Sequence, residues 1–316
     1  MVLEGDKHSE ELIVELVKKA SGVGQGKANA LAQFLENDWD DFLQADEIKL
    51  ARLETAKGRQ MLTDEQIGEI LQIKAEFQPF QQDVRSAWIY HIGKEFLESQ
   101  LKMLQSIQLG NLDINPLLMK ILNFKTSREV LAFNLYQTVT RSIVTSWGSA
   151  VENLLVRCGA EKFTGQTRTR TGRKPDIEKT VGGRKNYIQV KSGPNTMNID
   201  MVNSLNEVIE EYRINEPNTN FLLGMTYGRE ERISSQIRST LNDFGNSILI
   251  GRQLWDFVSE TNDFHMTLFE ILDRSSCSIT SKSFSEQLEE RLNCLVEEWQ
   301  DRFNGKTIDE ALDNCI

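Results

Sequence analysis

Residues 175–193 read PDIEKTVGGRKNYIQVKSG, and this stretch decides the fold of the second half of the chain. Two short runs rich in strand-forming residues, DIEKTV and NYIQVKS, are separated by GGRK, and Gly-Gly between two such runs predicts a β-hairpin. Side chains alternate along a strand, so Gln189 and Lys191 are expected on one face. A hairpin would bring Asp176, at the start of the first strand, close to this pair.

The sequence on either side predicts a mixed sheet flanked by helices. Up to residue 158 the apolar residues recur at helical spacing, and no stretch is typical of a strand. From residue 142 the predicted order is helix, strand, strand, helix, strand, helix, strand, helix, with NFLLGMTYG and SILIG as two buried strands. The expected fold class is α/β (α+β): a mixed central sheet preceded by an all-α N-terminal region.

Charge is distributed unevenly along the 316 residues. The net charge of −11 argues against a protein coated in positive charge for nucleic-acid binding. Residues 162–191, however, contain nine Lys or Arg and only two acidic residues, a local net charge of +7. A basic segment in an acidic protein is a more specific indication of a nucleic-acid partner than a uniformly basic composition.

Hydrophobic residues make up 39% of the chain, which is enough for a sizeable core. The four cysteines form no CxxC pair and are expected to be free thiols in a reducing compartment. The N-terminus lacks the features of a signal peptide, and no apolar run approaches the ~20 residues of a membrane span. A cytoplasmic protein without a membrane association is the expectation.

The chemistry that Asp176 and Lys191 could perform together is phosphodiester hydrolysis. A carboxylate can hold a divalent metal, which polarises a phosphoryl oxygen and lowers the pKa of a bound water. A lysine beside it can orient the water and balance charge on the transition state. The alternative is an ordinary hairpin acid and an ordinary surface lysine, because this pattern also occurs by chance.

Pro175-Asp176, fourteen residues and then Lys191 resembles the PD-(D/E)xK nuclease superfamily, the fold of most type II restriction endonucleases. The resemblance spans residues 142–262 and includes a helical glutamate, Glu152 in WGSAVENL, and the element VKSG. It implies catalysis by Asp176, Gln189, Lys191 and Glu152, with Mg²⁺ held by Asp176, the backbone carbonyl of Val190 and Glu152. Gln189 departs from the family, which usually has an acid there, and Glu178 is a further carboxylate that could face the site or form a salt bridge.

A second motif lies near the N-terminus, where GVGQGKANAL separates two short helical patterns. Glycines and the first amides of a helix can approach and bind a phosphate, and Lys27 adds a charge. Residues 11–36 resemble a helix-hairpin-helix, a DNA-backbone-binding motif, with Gly22, Gly24 and Lys27 as the implied contacts. A degenerate second copy is a candidate at residues 48–71. The alternative is a glycine turn that joins two packed helices.

Further DNA contacts are predicted from the basic loop TGQTRTRTGRKP, because arginine contacts phosphates and pairs with guanine edges. The alternative is a solvated charged loop. The predicted DNA-binding residues outside the N-terminal motif are Arg168, Arg170, Arg173, Lys174 and Ser192.

These inferences combine into one hypothesis about function. The chain is predicted to be a type II restriction endonuclease that cuts double-stranded DNA with magnesium and leaves 5′-phosphate ends. Two strands require two active sites, which implies a homodimer, and a DNA methyltransferase would protect the host DNA. The alternatives are a structure-specific repair or recombination nuclease, a non-catalytic DNA-binding protein on a decayed nuclease fold, and an interaction protein without a DNA role.

The expected domain organisation follows the same motifs. The predicted regions are residues 1–80 (helix-hairpin-helix-like), 81–141 (helical linker or dimerisation region), 142–275 (nuclease core) and 276–316 (helical tail).

Overall fold

The computed structural model describes residues 4–165, 174–194 and 196–314. The chain divides into two compact units, Met1–His91 and Ile92–Ile316. The finer division of the second unit into linker, nuclease core and tail stays a prediction. No helix among the described residues is both long enough and apolar enough to cross a bilayer.

The first unit is built from short helices, as predicted. They are α1 (Glu4–Val17), α2 (Gln25–Phe34), α3 (Trp39–Gln44), α4 (Glu47–Ala51), α5 (Asp64–Ala75) and the first residues of α6 (Val84–Ser106). The apolar positions that predicted the first two helices are buried, with Leu12, Leu16 and Leu31 fully inaccessible to solvent. Helix α5 begins at a capping box, because the side chains of Thr63 and Gln66 each bond to the other's backbone.

The second unit contains the remaining helices. They are the rest of α6, α7 (Pro116–Ile121), α8 (Ser127–Arg157), α9 (Ile199–Asn215), α10 (Ser235–Thr240), α11 (Phe244–Ser247), α12 (Arg252–Ser259), α13 (Phe264–Ile279), α14 (Phe284–Arg302) and α15 (Ile308–Asp313).

A five-stranded mixed sheet lies in the second unit, which confirms the predicted fold class. Its strands are β1 (Glu161–Lys162), β2 (Ile177–Val181), β3 (Arg184–Lys191), β4 (Thr219–Met225) and β5 (Ile248–Ile250). They lie side by side in chain order; β1–β2 and β2–β3 are antiparallel, whereas β3–β4 and β4–β5 are parallel. The sequence did not predict β1, which is only two residues long.

The predicted hairpin is the β2–β3 pair. Val181 is paired with Arg184, so the connection is the two residues Gly182 and Gly183. Their φ angles are +57° and +78°, which other residues rarely adopt, and positive φ at both central positions is the geometry that matches the twist of the flanking strands. This tight turn fixes the register that carries Asp176 to the end of β3.

Helix α9 covers one face of the sheet. Its buried Val202, Leu205 and Ile209 pack with Tyr187, Leu223 and other side chains in one apolar cluster. The parallel strands β3, β4 and β5 end at one edge, where Lys191 is paired with Met225, and Met225 with Ile250. Ligand sites of such sheets form at the carboxyl ends of the parallel strands.

Helix α8 is a single helix of 31 residues that begins at a capping box of Thr126 and Glu129. Its first half buries Leu131, Leu135 and Val139 in a cluster with α14 residues such as Leu292. Its last turns carry Glu152 toward the sheet region.

Candidate active site

Asp176 directly precedes β2 and is tied to the neighbouring strand. Its Oδ2 accepts hydrogen bonds from the backbone N–H of Val190, at 2.6 Å, and from Nε2 of Gln189, at 2.9 Å. Its own backbone N–H donates to the carbonyl of Ile188 at 3.0 Å. No described residue donates a hydrogen bond to the second carboxylate oxygen, Oδ1, so that atom can accept a further partner.

Gln189 and Lys191 lie on one face of β3, as strand alternation predicted. Both line a cleft of about 310 Å³, together with Lys174. The other side chains of the cleft are apolar and belong to α9 or the segment before it: Met197, Met201, Leu205 and Val208. The cleft therefore pairs an apolar wall with two lysines and the amide of Gln189.

Glu152 on α8 belongs to the same group of charges. Burial raises the pKa of the Glu152 carboxyl, and the negative charge of Asp176 raises it further. Lys162 and Lys191 act in the opposite direction. The four predicted catalytic side chains, Glu152, Asp176, Gln189 and Lys191, are thus neighbours, although their catalytic roles stay predictions. Lys162 was not predicted, because a strand of two residues gives no pattern to read.

The donor set at this site fits Mg²⁺, which proteins bind through one or two carboxylates while it keeps several waters. Glu152 and Asp176 supply two carboxylates, and a bound cation would relieve their mutual repulsion. The carbonyl of Val190 points to the same side of β3 as its N–H, which bonds to Asp176. No group of three or more His, Cys, Asp or Glu suited to a metal occurs in the described ranges. Gln189, beside Asp176, is an amide and adds no third carboxylate.

Glu178 forms a salt bridge, which is the second of the two alternatives predicted for it. Its Oε1 forms a salt bridge with Lys185 at 3.1 Å, across the β2–β3 pair. It therefore neutralises a lysine at the far end of β3 and contributes no carboxylate to the site.

The predicted DNA contacts are distributed over several places. Lys174 is exposed and lines the cleft. Ser192 follows Lys191, and its carbonyl accepts hydrogen bonds from Tyr227 N, at 3.2 Å, and Thr226 Oγ1, at 2.8 Å. Arg168, Arg170 and Arg173 lie outside the described residues.

The N-terminal glycine segment joins α1 and α2 as a tight turn. Gly22 has a φ of +70°, and Gly24 is the N-cap of α2, where no side chain satisfies the first amides. Lys27 donates from Nζ to Oε1 of Gln66 at 3.0 Å, and Nε2 of Gln66 donates to the carbonyl of Ser21 at 2.9 Å. The turn is therefore anchored on α5. Its role in DNA binding stays a prediction.

Comparison with known families bears on the second unit. The family model described as type II restriction endonuclease EcoO109I matches residues 83–278, more than half of the chain. The match contains Glu152, Asp176, Gln189 and Lys191, and it does not extend to the glycine turn at residues 22–24. No curated protein matches the chain.

Proposed function

This chain belongs to the family of the type II restriction endonuclease EcoO109I, and on that premise we propose that it cuts both strands of duplex DNA at a specific sequence with magnesium as its cofactor. The observation that carries the proposal is the arrangement of the site. The Asp176 carboxylate is bonded to β3, Lys191 ends that strand, and Glu152 lies near enough to interact with both charges.

The proposed reaction is the attack of water on the phosphorus of a phosphodiester. The water oxygen forms a new bond to phosphorus, and the bond between phosphorus and the 3′ oxygen breaks. The attacking water loses a proton and the departing 3′ oxygen takes one up. The products are a 5′-phosphate end and a 3′-hydroxyl end.

Each side chain has a role that follows from its chemistry. Asp176, Glu152 and the carbonyl of Val190 would hold Mg²⁺, which when bound polarises a phosphoryl oxygen and lowers the pKa of water. Lys191 carries a positive charge toward the scissile phosphate and donates hydrogen bonds to the attacking water or to a phosphate oxygen. Gln189 keeps Asp176 in place through its Nε2 donor.

The wider proposal concerns how the DNA is held. Lys174, Ser192, Arg168, Arg170 and Arg173 contact the duplex, and Gly22, Gly24 and Lys27 bind a backbone phosphate. Two copies of the chain form a homodimer, because each strand needs its own site. A DNA methyltransferase of matching specificity protects the host DNA.

The test is cleavage of plasmid and phage DNA by the purified protein, with magnesium or with EDTA. Discrete fragments that require magnesium are expected, and sequencing their ends gives the site and the 5′-phosphate. Asp176→Ala and Lys191→Ala should abolish cutting while the protein stays folded, as followed by circular dichroism; Asp176→Ala also loses the two hydrogen bonds to its carboxylate and should melt somewhat below wild type. Lys185→Ala is the matched control, because Lys185 lies on the same strand but pairs with Glu178. Cleavage by Asp176→Ala or Lys191→Ala at the wild-type rate would refute the site.

A second candidate function is DNA binding without cleavage, and Gln189 is the observation that favours it. An amide is a weaker metal ligand than a carboxylate, and this one is engaged with Asp176. DNA binding in a gel-shift assay, with no magnesium-dependent cutting of any substrate, would select this candidate. A smear or nicks in place of discrete fragments would select the structure-specific nuclease.

The contribution of the glycine turn can be measured separately. If Lys27 neutralises one phosphate, Lys27→Gln should weaken binding to all DNA sequences alike and reduce the slope of log affinity against log salt concentration by about 1. Lys19→Gln is a nearby control on an exposed residue that precedes the two glycines. Equal slopes for wild type and Lys27→Gln would contradict a phosphate contact.

A further inference from the structure

The loop that follows β4 carries an exposed tyrosine next to the end of β3. Tyr227 is 58% exposed. Its phenol oxygen bonds to no described residue. The sequence did not single it out, because Tyr-Gly after an apolar run is typical of the end of a buried strand.

The ring of Tyr227 is fixed against Gly193. A Cβ added to Gly193 would lie 2.4 Å from Cζ of the ring and 2.8 Å from both Cε atoms. The near-equal distances to the two Cε atoms show that the contact is with the face of the ring, at the end that carries the hydroxyl. Only a residue without a side chain permits this approach. Gly193 follows Lys191 by two residues, so the hydroxyl end of the ring packs on the segment that directly follows the end of β3.

The backbone around Tyr227 is fixed as well. Thr226 N donates to the carbonyl of Lys191 at 3.0 Å, and Tyr227 N donates to that of Ser192 at 3.2 Å. The carbonyl of Thr226 accepts a bond from Nε1 of the buried Trp255 at 2.8 Å. The ring and its backbone are therefore held before any ligand binds, and a preorganised donor loses little entropy on binding.

The position of the hydroxyl determines the group that it can reach. A phosphate that is cut beside Asp176 and Lys191 brings its neighbouring phosphates and sugars to the same edge of the sheet. Tyrosine hydroxyls commonly donate to phosphate oxygens in protein–DNA complexes, and such contacts set the register of the strand. A base edge is less accessible there, because the grooves lie away from the backbone that enters the site.

We propose that Tyr227 is a DNA-positioning residue whose hydroxyl donates a hydrogen bond to one backbone phosphate of the strand being cut, next to the scissile phosphate. The proposal rests on the proposed function, since it assumes that the strand approaches Lys191. Tyr227 makes no covalent bond and moves no proton. It holds the strand so that the scissile phosphate meets the carboxylates.

The test compares Tyr227→Phe with wild type by binding and by cleavage. The duplex contains the site mapped from the plasmid fragments, or random-sequence duplex if none is cut, and binding is followed by fluorescence anisotropy in EDTA. A hydrogen bond to a charged group predicts affinity weaker by about 10- to 100-fold. The melting temperature should not change, because the ring that packs on Gly193 remains. In cleavage, the variant should raise KM more than it lowers kcat.

A phosphate-replacement series identifies the contact. Duplexes with a single neutral methylphosphonate at each position in turn are bound to both proteins. At one position the methylphosphonate should weaken binding by wild type. The same substitution should weaken binding by Tyr227→Phe much less, because the variant has already lost the hydrogen bond to that phosphate. Tyr136→Phe is the matched control, because Tyr136 is another exposed tyrosine, on α8, sixteen residues and about 24 Å along the helix from Glu152. It should behave as wild type.

The outcomes separate the two proposals. If wild type binds DNA without cutting it, the proposed cleavage is refuted. The affinities of wild type and Tyr227→Phe can still be compared, because binding is measured in EDTA. Equal affinity of wild type and Tyr227→Phe, or methylphosphonate costs that are equal in both proteins at every position, overturns the Tyr227 proposal even if cleavage is confirmed.

Discussion

The bond between Gln189 and Asp176 leads to a prediction whose magnitude can be worked out. In Gln189→Glu, the donor that lies 2.9 Å from Asp176 Oδ2 becomes a carboxylate oxygen. A hydrogen bond to a charged group contributes about 1.5–3 kcal/mol to stability. Two carboxylates about 4 Å apart repel each other by about 4 kcal/mol at the effective dielectric of a protein surface region.

Rotation of the side chain and solvent screening reduce the combined effect. We expect metal-free Gln189→Glu to be destabilised by about 3 kcal/mol at pH 8, which for a chain of this size lowers the melting temperature by about 4–5 °C. The assay is thermal unfolding in EDTA, followed by circular dichroism.

The pH dependence of this loss has a definite sign. The repulsion of Asp176 raises the pKa of the introduced carboxyl in the folded state above its unfolded value of about 4.3. The destabilisation is therefore absent below about pH 4.3, where the carboxyl is protonated in both states. It grows as the pH rises through the folded pKa and is complete above it.

Magnesium should reverse the loss, because the added carboxylate becomes a further ligand. The increase in melting temperature on adding magnesium should be larger for Gln189→Glu than for wild type, since a ligand that binds only the folded state stabilises it in proportion to RT ln(1 + [L]/Kd). Gln189→Met is the control: it loses the hydrogen bond without adding a carboxylate, so its smaller loss should not be reversed by magnesium. The double variant Asp176→Asn/Gln189→Glu exchanges the amide and the carboxylate and should recover stability.

Two results would refute this reasoning. One is a melting temperature for Gln189→Glu that equals that of wild type in EDTA at pH 8. The other is a loss that is the same at pH 4 and pH 8, which would mean that the two side chains do not contact each other.

Three further predictions concern stability. Glu152→Gln should melt above wild type at pH 8 in EDTA, because a carboxyl with a raised pKa destabilises the fold once ionised; the difference should vanish below pH 4.5, and a gap that persists there would contradict it. Gly183→Ala should cost about 1–2 kcal/mol at a φ of +78° and Gly183→Asn distinctly less, as measured by urea unfolding; equal costs would argue against the turn geometry. Tyr187→Phe should cost about 1.5–3 kcal/mol, since its hydroxyl donates to the Glu216 carboxylate at 2.8 Å, and no loss on urea unfolding would mean that the bond contributes nothing.

The sheet and the carboxylate–lysine site could be predicted because their signals are local. Gly182-Gly183 between two strand-like runs determines the hairpin, and the hairpin brings Asp176, Gln189 and Lys191 together. The first two helices of the first unit were equally predictable, because apolar residues at helical spacing, such as Leu12, Leu16 and Leu31, are buried on one side of each helix.

The features that were missed lack such a signal. Helix α13 buries Phe264, Leu268 and Ile271 at helical spacing, but its second half is rich in Ser and Cys, which are weak helix formers. The proximity of Tyr227 to Gly193 depends on the pairing of β3 with β4, which are separated by the whole of α9. The residue pattern within either segment cannot predict the contact between Tyr227 and Gly193, because the contact forms only when the two strands pair in the folded protein.

Helix α8 imposes a condition on how this site can evolve. Each residue advances an α-helix by about 100° of rotation and 1.5 Å of length. One residue inserted between Val139 and Val151 would keep the buried first half in place and turn Glu152 away from Asp176 by more than a quarter of a circle. A loop would absorb the extra residue, whereas an unbroken helix transmits it undiminished. Along α8, changes in chain length should therefore be far rarer among functional relatives than changes in residue type.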